Sequence, residues 1–135
     1  MTGGPVKGLA DTSVFIGAES GRAIRGELLP DEVFVSVVTI AELQAGVLAA
    51  ADTSTRARRL ATLDSVAALE PLPIDAAAAA EWATLRVRVH EIGRRINVND
   101  LWIAAVAAAN GLSVITQDAD FDVLELVGGP PVIHV

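Results

Sequence analysis

The stretch INVNDLWIAAVAAANGLSVITQDAD, Ile96–Asp120, decides the fold. From Leu101 to Ala109 every side chain is apolar. A helix there has no face to give to water and belongs in the interior. Leu112–Thr116 follows at once and reads as a strand with the same apolar character. A buried helix feeding a buried strand is the pattern of an α/β fold, in which crossover helices cover a parallel sheet. Two acids bracket the pair. Asp100 opens the helix, and Asp118 stands two residues past the strand.

Working outward, short β-branched runs alternate with longer helical patterns. Val6–Ala10 reads as a first strand and Ser13 to about Leu29 as helix, broken near Ser20–Gly21. Val33–Val37 is a second strand, leading into a helix from Ile40 to about Ala51. Another helix covers Thr55–Ala67, and LEPLPI is a short extended segment ended by prolines. The longest helix runs from Asp75, its N-cap, to about Ile92. A turn or short helix at Asp118–Leu124 precedes a last strand, Val132–Val135. The predicted fold is α/β: one domain over 1–135, with a mostly parallel sheet of four to five strands and helices on both faces. The few residues before Val6 are expected to form a mobile extension.

Composition narrows the function. The absence of cysteine excludes a disulfide framework and thiolate metal sites, and fits a reducing cytosol. No sustained apolar run follows a basic start, so no signal peptide is expected. The longest uncharged run, Leu101–Gln117, is interrupted by Asn110, Gly111, Ser113 and Thr116 and is too broken to span a bilayer. A soluble cytoplasmic protein is expected. The net charge of −7 argues against indiscriminate nucleic-acid binding through Lys and Arg, though not against an enzyme that holds nucleic acid through metal ions. Two basic groups, Arg56/Arg58/Arg59 and Arg86/Arg88/Arg94/Arg95, read first as solvated helix faces.

The acids fall in a pattern. In a parallel α/β sheet a ligand lies outside the carboxyl ends of the strands, where the following helices begin. Asp11 directly follows the first strand, and Glu42 lies early in the helix after the second. Asp100 and Asp118 reach the same edge if strand 112–116 runs parallel to the others. Each has an ordinary explanation. Thr39 and Glu42 form a capping box, Asp11 and Asp118 cap their helices, and Asp100 complements a helix dipole for roughly 0.3–1 kcal/mol. Together those explanations fail on energy. Two carboxylates ~5 Å apart repel by about 3 kcal/mol at an effective dielectric of 20, which caps worth ~1 kcal/mol do not offset.

A divalent cation reverses the sign of such a cluster. Oxygen ligands without His or Cys select a hard ion, Mg²⁺ or its substitute Mn²⁺. Asp118, Asp120 and Asp122 imitate the start of an EF-hand loop, but Val123 stands where Gly is needed and Gly129 where Glu is needed. Asp120 remains a reserve or outer ligand, and Asp122 a solvated charge. No Walker loop, dinucleotide fingerprint or nucleophile elbow occurs, and His90 and His134 lack zinc spacing.

LADTSVFI (9–16), TIAEL (39–43), NDLWIAA (99–105) and ITQDADF (115–121), in this order and spacing, resemble the PIN-domain nucleases, specifically the VapC-type toxins of bacterial toxin–antitoxin pairs. The resemblance implies a ribonuclease whose acids bind Mg²⁺ and which a cognate antitoxin holds silent. It implies Asp11, Glu42 and Asp100 as principal acids and Asp118 as the fourth, with Asp120 competing for that place. Thr12, Ser13 and Thr116 match hydroxyl positions that support the acids by hydrogen bonds. It implies a homodimer with an antitoxin segment in a groove near the acids, and helix-in-groove docking would suit it. The surplus of apolar helix surface points the same way.

A carboxylate-held ion would lower the pKa of water and polarise a phosphodiester, with Asp118 or Glu42 orienting or deprotonating the water. Such hydrolysis leaves 5′-phosphate and 3′-hydroxyl ends. Whether one or two ions act is left open by the residues. Arg22 and Arg25 are either phosphate contacts or ordinary surface arginines, the second being the simpler reading. The alternatives are a catalytically inactive module binding RNA or protein through the same cleft, and another Mg²⁺-dependent phosphate-transfer domain. The latter needs an acid pair at the first strand and a Lys near the last strands, whereas the only lysine is Lys7.

Overall fold

The computed structural model describes residues 6–135. The extension expected at residues 1–5 lies outside the described residues. Four strands, β1 (Lys7–Ala10), β2 (Glu32–Phe34), β3 (Ser113–Thr116) and β4 (Val132–His134), form one sheet in the order β2-β1-β3-β4. Every pairing in it is parallel, as the apolar strands predict. Six helices surround it: α1 (Thr12–Glu19), α2 (Val37–Leu48), α3 (Thr53–Ala67), α4 (Ala76–Glu91), α5 (Val98–Ala109) and α6 (Val123–Leu126).

Strand alternation splits the core between the two faces. Leu9 and Val114 point toward α4, α5 and α6, into a cluster with Leu85, Ile103, Val106, Phe121 and Leu124. Their neighbours Ala10 and Ile115 point the other way and pack with Val14 of α1 and Val135. A third cluster, Val35, Leu43 and Val66, joins α2 and α3 beside β2. Helix α5 is the interior helix that its composition demands, with Ile103 to Ala107 fully buried. Its carboxyl end turns sharply into β3. Gly111, at φ +67°, takes the left-handed position, and the Leu112 amide donates to the Ala107 carbonyl at 2.9 Å. No helix among the described residues is long and apolar enough to cross a membrane.

Several expected boundaries moved. The helix expected to continue to Leu29 stops at Glu19, and only a 3₁₀ turn, Gly26–Leu28, follows. Gly21 adopts φ +79°, and the next residues are tied elsewhere: the Arg25 amide donates to the Val135 carbonyl and Gln117 Nε2 to the Ala23 carbonyl. Helix α2 starts three residues earlier than expected because Ser36, not Thr39, is its N-cap. The second strand shortens accordingly, and Ser36 instead bridges Leu72 of the proline-bounded segment. Asp75 caps α4 as expected, accepting from the Ala78 amide at 2.9 Å. Asp100 does not open α5. Asn97 caps that helix and Val98 begins it, so Asp100 sits at its third residue.

Candidate active site

The sheet order creates a switch point between β1 and β3, because the chain leaves β1 toward β2 on one side and β3 lies on the other. Ligand crevices of open parallel sheets form at such a point, beyond the carboxyl ends of the strands. Asp11 extends β1 there, its amide donating to the Ile115 carbonyl at 2.9 Å. Asp118 leaves β3 on the other side of the crevice.

Two hydroxyls, of Ser13 and Thr116, join these strand ends, and a second pair, of Thr12 and Thr39, links α1 to α2. Ser13 Oγ donates to Asp11 Oδ1 at 2.7 Å and lies 3.3 Å from Thr116 Oγ1. Thr116 Oγ1 accepts from the Asp118 amide at 2.8 Å, and Ser13 Oγ accepts from the Gln117 amide at 3.0 Å. Thr12 Oγ1 donates to Glu42 Oε1 at 2.6 Å and lies 3.1 Å from Thr39 Oγ1. The capping box expected at Thr39 and Glu42 is therefore absent. Glu42 lies beyond the first turn of the lengthened α2, and its carboxylate turns away from the helix start toward α1 and α5. Its second oxygen accepts from Asn99 Nδ2 at 3.4 Å. Asp11 stands at the N-cap position of α1 but makes no side-chain cap hydrogen bond. Asp118 does cap the following turn, Oδ1 accepting from the Asp120 amide at 2.9 Å.

Electrostatics shows how tightly the acids converge. Asp100 is pushed up to about 7, first by burial and then by the charges of Asp11, Asp118, Glu42 and Asp120. Asp11 is pushed up to about 6 by burial, with a smaller push from Asp118, against the opposing pull of hydrogen bonding to Ser13 and Thr116. Asp100, Asp118 and Asp120 each present an oxygen within 4.8 Å of the others. All four acids expected at the edge are thus brought to one place. Asp120 joins them more closely than a reserve role implied, because the 3₁₀ turn Ala119–Asp122 folds it back beside Asp118.

The donor chemistry fits a hard divalent cation: all ligand atoms are carboxylate oxygens, and the charge they concentrate is unmatched by any cation among them. Asp122 stands apart, its Oδ1 2.6 Å from His134 Nε2 at the surface. Arg22 and Arg25 are exposed and donate to Gln117 Oε1 and to the His134 carbonyl. Sequence reasoning passed over Asn97 and Asn99. Asn97 Oδ1 accepts from the Asn99 and Asp100 amides at 2.8 and 3.3 Å, and so fixes the turn that presents Asp100. An Asn just ahead of an apolar helix was the available signal.

Fold and cluster together define a class: parallel α/β proteins that gather carboxylates at the switch point of the sheet. Within it, the chain belongs to the PIN domain family, whose model matches residues 9–126. It is similar to Ribonuclease VapC5 of Mycobacterium tuberculosis (strain ATCC 25618 / H37Rv), with 56% identity over 135 residues, 100% of each chain. It is 44% identical over 115 residues to Ribonuclease VapC4 of the same strain, covering 85% of this chain and 88% of that one. Among solved structures it is similar to a member of the VapBC family of toxin–antitoxin systems, VapBC-5 from Mycobacterium tuberculosis. That match has a TM-score of 0.90 and 53% identity, over 97% of this chain and 100% of the other. The family and fold expected from the four motifs are borne out.

Proposed function

We propose that this protein is a metal-dependent endoribonuclease toxin, acting as a single PIN-like unit and silenced by a cognate antitoxin. The observation that carries the reading is the meeting of Asp11, Glu42, Asp100, Asp118 and Asp120, from four separated segments, around one crevice where Asp100 is raised to about 7. A divalent cation would offset the mutual repulsion of these acids. The names of the similar ribonucleases and of the toxin–antitoxin complex support the substrate and the partner.

Asp100, Asp118 and Asp120 are assigned as holders of the ion, with Asp11 completing the negative lining behind them. Mg²⁺ is the proposed ion and Mn²⁺ its substitute; when bound, the ion would supply charge neutralisation at the scissile phosphate and an acidified water. Glu42 is assigned as the group that orients the attacking water and takes its proton, because it lies outside the close trio and is aimed by Thr12 and Asn99. Ser13 and Thr116 keep Asp11 and Asp118 from splaying apart. Attack by water leaves 5′-phosphate and 3′-hydroxyl ends.

The antitoxin is assigned to a groove of about 280 Å³ lined by Ile16, Leu43, Gly46 and Glu42 together with Arg58 and Arg59. It abuts the site through Glu42 and offers an apolar floor for an amphipathic segment. Exposed apolar side chains such as Leu48 and Leu126 support a homodimer, which is proposed to act in the cytoplasm. The test is cleavage of RNA by purified protein with Mg²⁺, with chelator, and as Asp100→Asn, alongside a Mn²⁺ titration. Cleavage and Mn²⁺ binding are both expected to vanish in the folded variant. Cleavage that survives chelation or the substitution overturns the mechanism.

A further inference from the structure

Nine arginines occur in the chain, and the structure sorts them sharply. Arg22, Arg25, Arg56, Arg59 and Arg88 each donate a side-chain hydrogen bond to a protein oxygen. Arg58 lies 4.0 Å from Glu19. Among the described residues, that leaves Arg86, Arg94 and Arg95 without a hydrogen-bonded or oppositely charged partner. Arg86 is held only by its stacking over the Trp82 ring, at 5.4 Å.

These three arginines share one cleft. It has a volume of about 470 Å³, lies between the end of α4 and the start of α5, and no Asp or Glu lines it. Arg94, Arg95 and Ile96 also line the adjoining groove of about 410 Å³, which continues through Asn97 to Asp120. A free cationic track in a chain of net charge −7 therefore leads directly to the acid cluster. Unpaired, solvent-exposed guanidinium groups suit phosphate oxygens, which they can contact bidentately. On the opposite side of the site, Arg58 and Arg59 are already engaged, so the two approaches to the acids differ in kind.

We propose that Arg94 and Arg95, with Arg86 beyond them, hold the phosphate backbone of single-stranded RNA on one side of the scissile bond and so set the direction in which the strand crosses the site. The inference rests on the RNA-cleaving reading, but its binding arm can be measured apart from catalysis. The arginines are positioning residues. They lower the free energy of the bound strand and do not act on the reacting phosphate.

The experiment measures anisotropy of a short fluorescein-labelled single-stranded RNA in EDTA, between low and physiological salt. It compares wild type, Arg94→Gln/Arg95→Gln and the surface control Lys7→Gln, which removes one positive charge far from the cleft. The double variant is expected to bind about tenfold more weakly at low salt, and its slope of log affinity against log salt should be shallower by about 1.4, 0.7 for each lost phosphate contact. Hydrolysis of bis(p-nitrophenyl) phosphate with Mn²⁺, a diester too small to reach the cleft, should be unchanged. Equal affinity and slope in the double variant overturn the inference. So does an equal loss in Lys7→Gln, or a change of sedimentation in the double variant, which would mark the cleft as a protein interface. A wild type that cuts neither RNA nor the diester would instead overturn the nuclease reading, with the RNA-binding comparison still deciding the role of the arginines.

Discussion

In the metal-free protein Asp100 gives up its proton only at about pH 7, whereas the same carboxyl in the unfolded chain does so at about 3.8. Asp11 behaves likewise with a folded value of about 6. Between those values the folded state holds protons that the unfolded state has released. Their contribution to stability is full below pH 3.8 and is lost as pH rises through about 6 and 7. Asp100→Asn should therefore raise the melting temperature of the metal-free protein at pH 8 by about 3–7 °C, roughly 1–2 kcal/mol after discounting solvent screening at this partly exposed group. The gain should fade below pH 5. Added Mn²⁺ should lift the wild type and leave the variant where it was. Equal melting of the two proteins at pH 8 without metal would contradict the electrostatic account. The positions of Asp11 and Asp118 were legible because an acid just past a strand is a local pattern, and those of Glu42 and Asp100 because their helices start at the same edge. What Glu42 and Asp120 bond to was not legible, since side-chain direction depends on where neighbouring helices begin.

At the scale of elements, helix starts govern the site. Helix α5 presents Asp100 only because Asn97 ends the preceding loop and accepts two amides of the first turn. Asn97→Ala should cost about 1 kcal/mol in urea unfolding and lower cleavage by more than that loss of folded protein explains. Asn97→Ser, which keeps a capping oxygen, should restore both. Stability lost without any effect on cleavage would show that the cap does not aim Asp100. Periodicity located every helix and strand of the sheet, yet misplaced starts by two or three residues where a competing cap was present. At α2 both Ser36 and Thr39 are of capping type and both are fully buried; the cap falls at Ser36, whose side chain accepts from the Thr39 amide at 3.4 Å. At residues 22–29 the helical pattern is overruled by long-range bonds to the Val135 carbonyl and to Gln117, contacts that no local window contains.

For the molecule as a whole, the order of strands does what no single motif could, placing the ends of β1 and β3 side by side with the acids between them. The alternation of strands and helices made a parallel sheet legible, but the order of its strands is a matter of global packing. The two approaches to the crevice follow from that packing: the group Arg86/Arg88/Arg94/Arg95 was visible as a basic run, but that three of its members share one cleft was not. One is the free arginine cleft; the other is the groove between α1, α2 and α3, where Arg59 is bonded to the Gly46 carbonyl at 2.7 Å and Ile16 stays exposed. If the antitoxin segment lies in that groove, Ile16 is an apolar anchor for it. Ile16→Asp is to be compared with wild type at matched cleavage rates, because the groove it lines also contains Glu42. The variant should need at least about tenfold more antitoxin for half-inhibition, the loss of ~1.4 kcal/mol that a buried aliphatic contact turned to a carboxylate readily produces. Titration of cleavage with the purified antitoxin reads this directly. An unchanged inhibition curve would move the antitoxin out of the groove, and inhibition would then have to act by covering the acids from the arginine side.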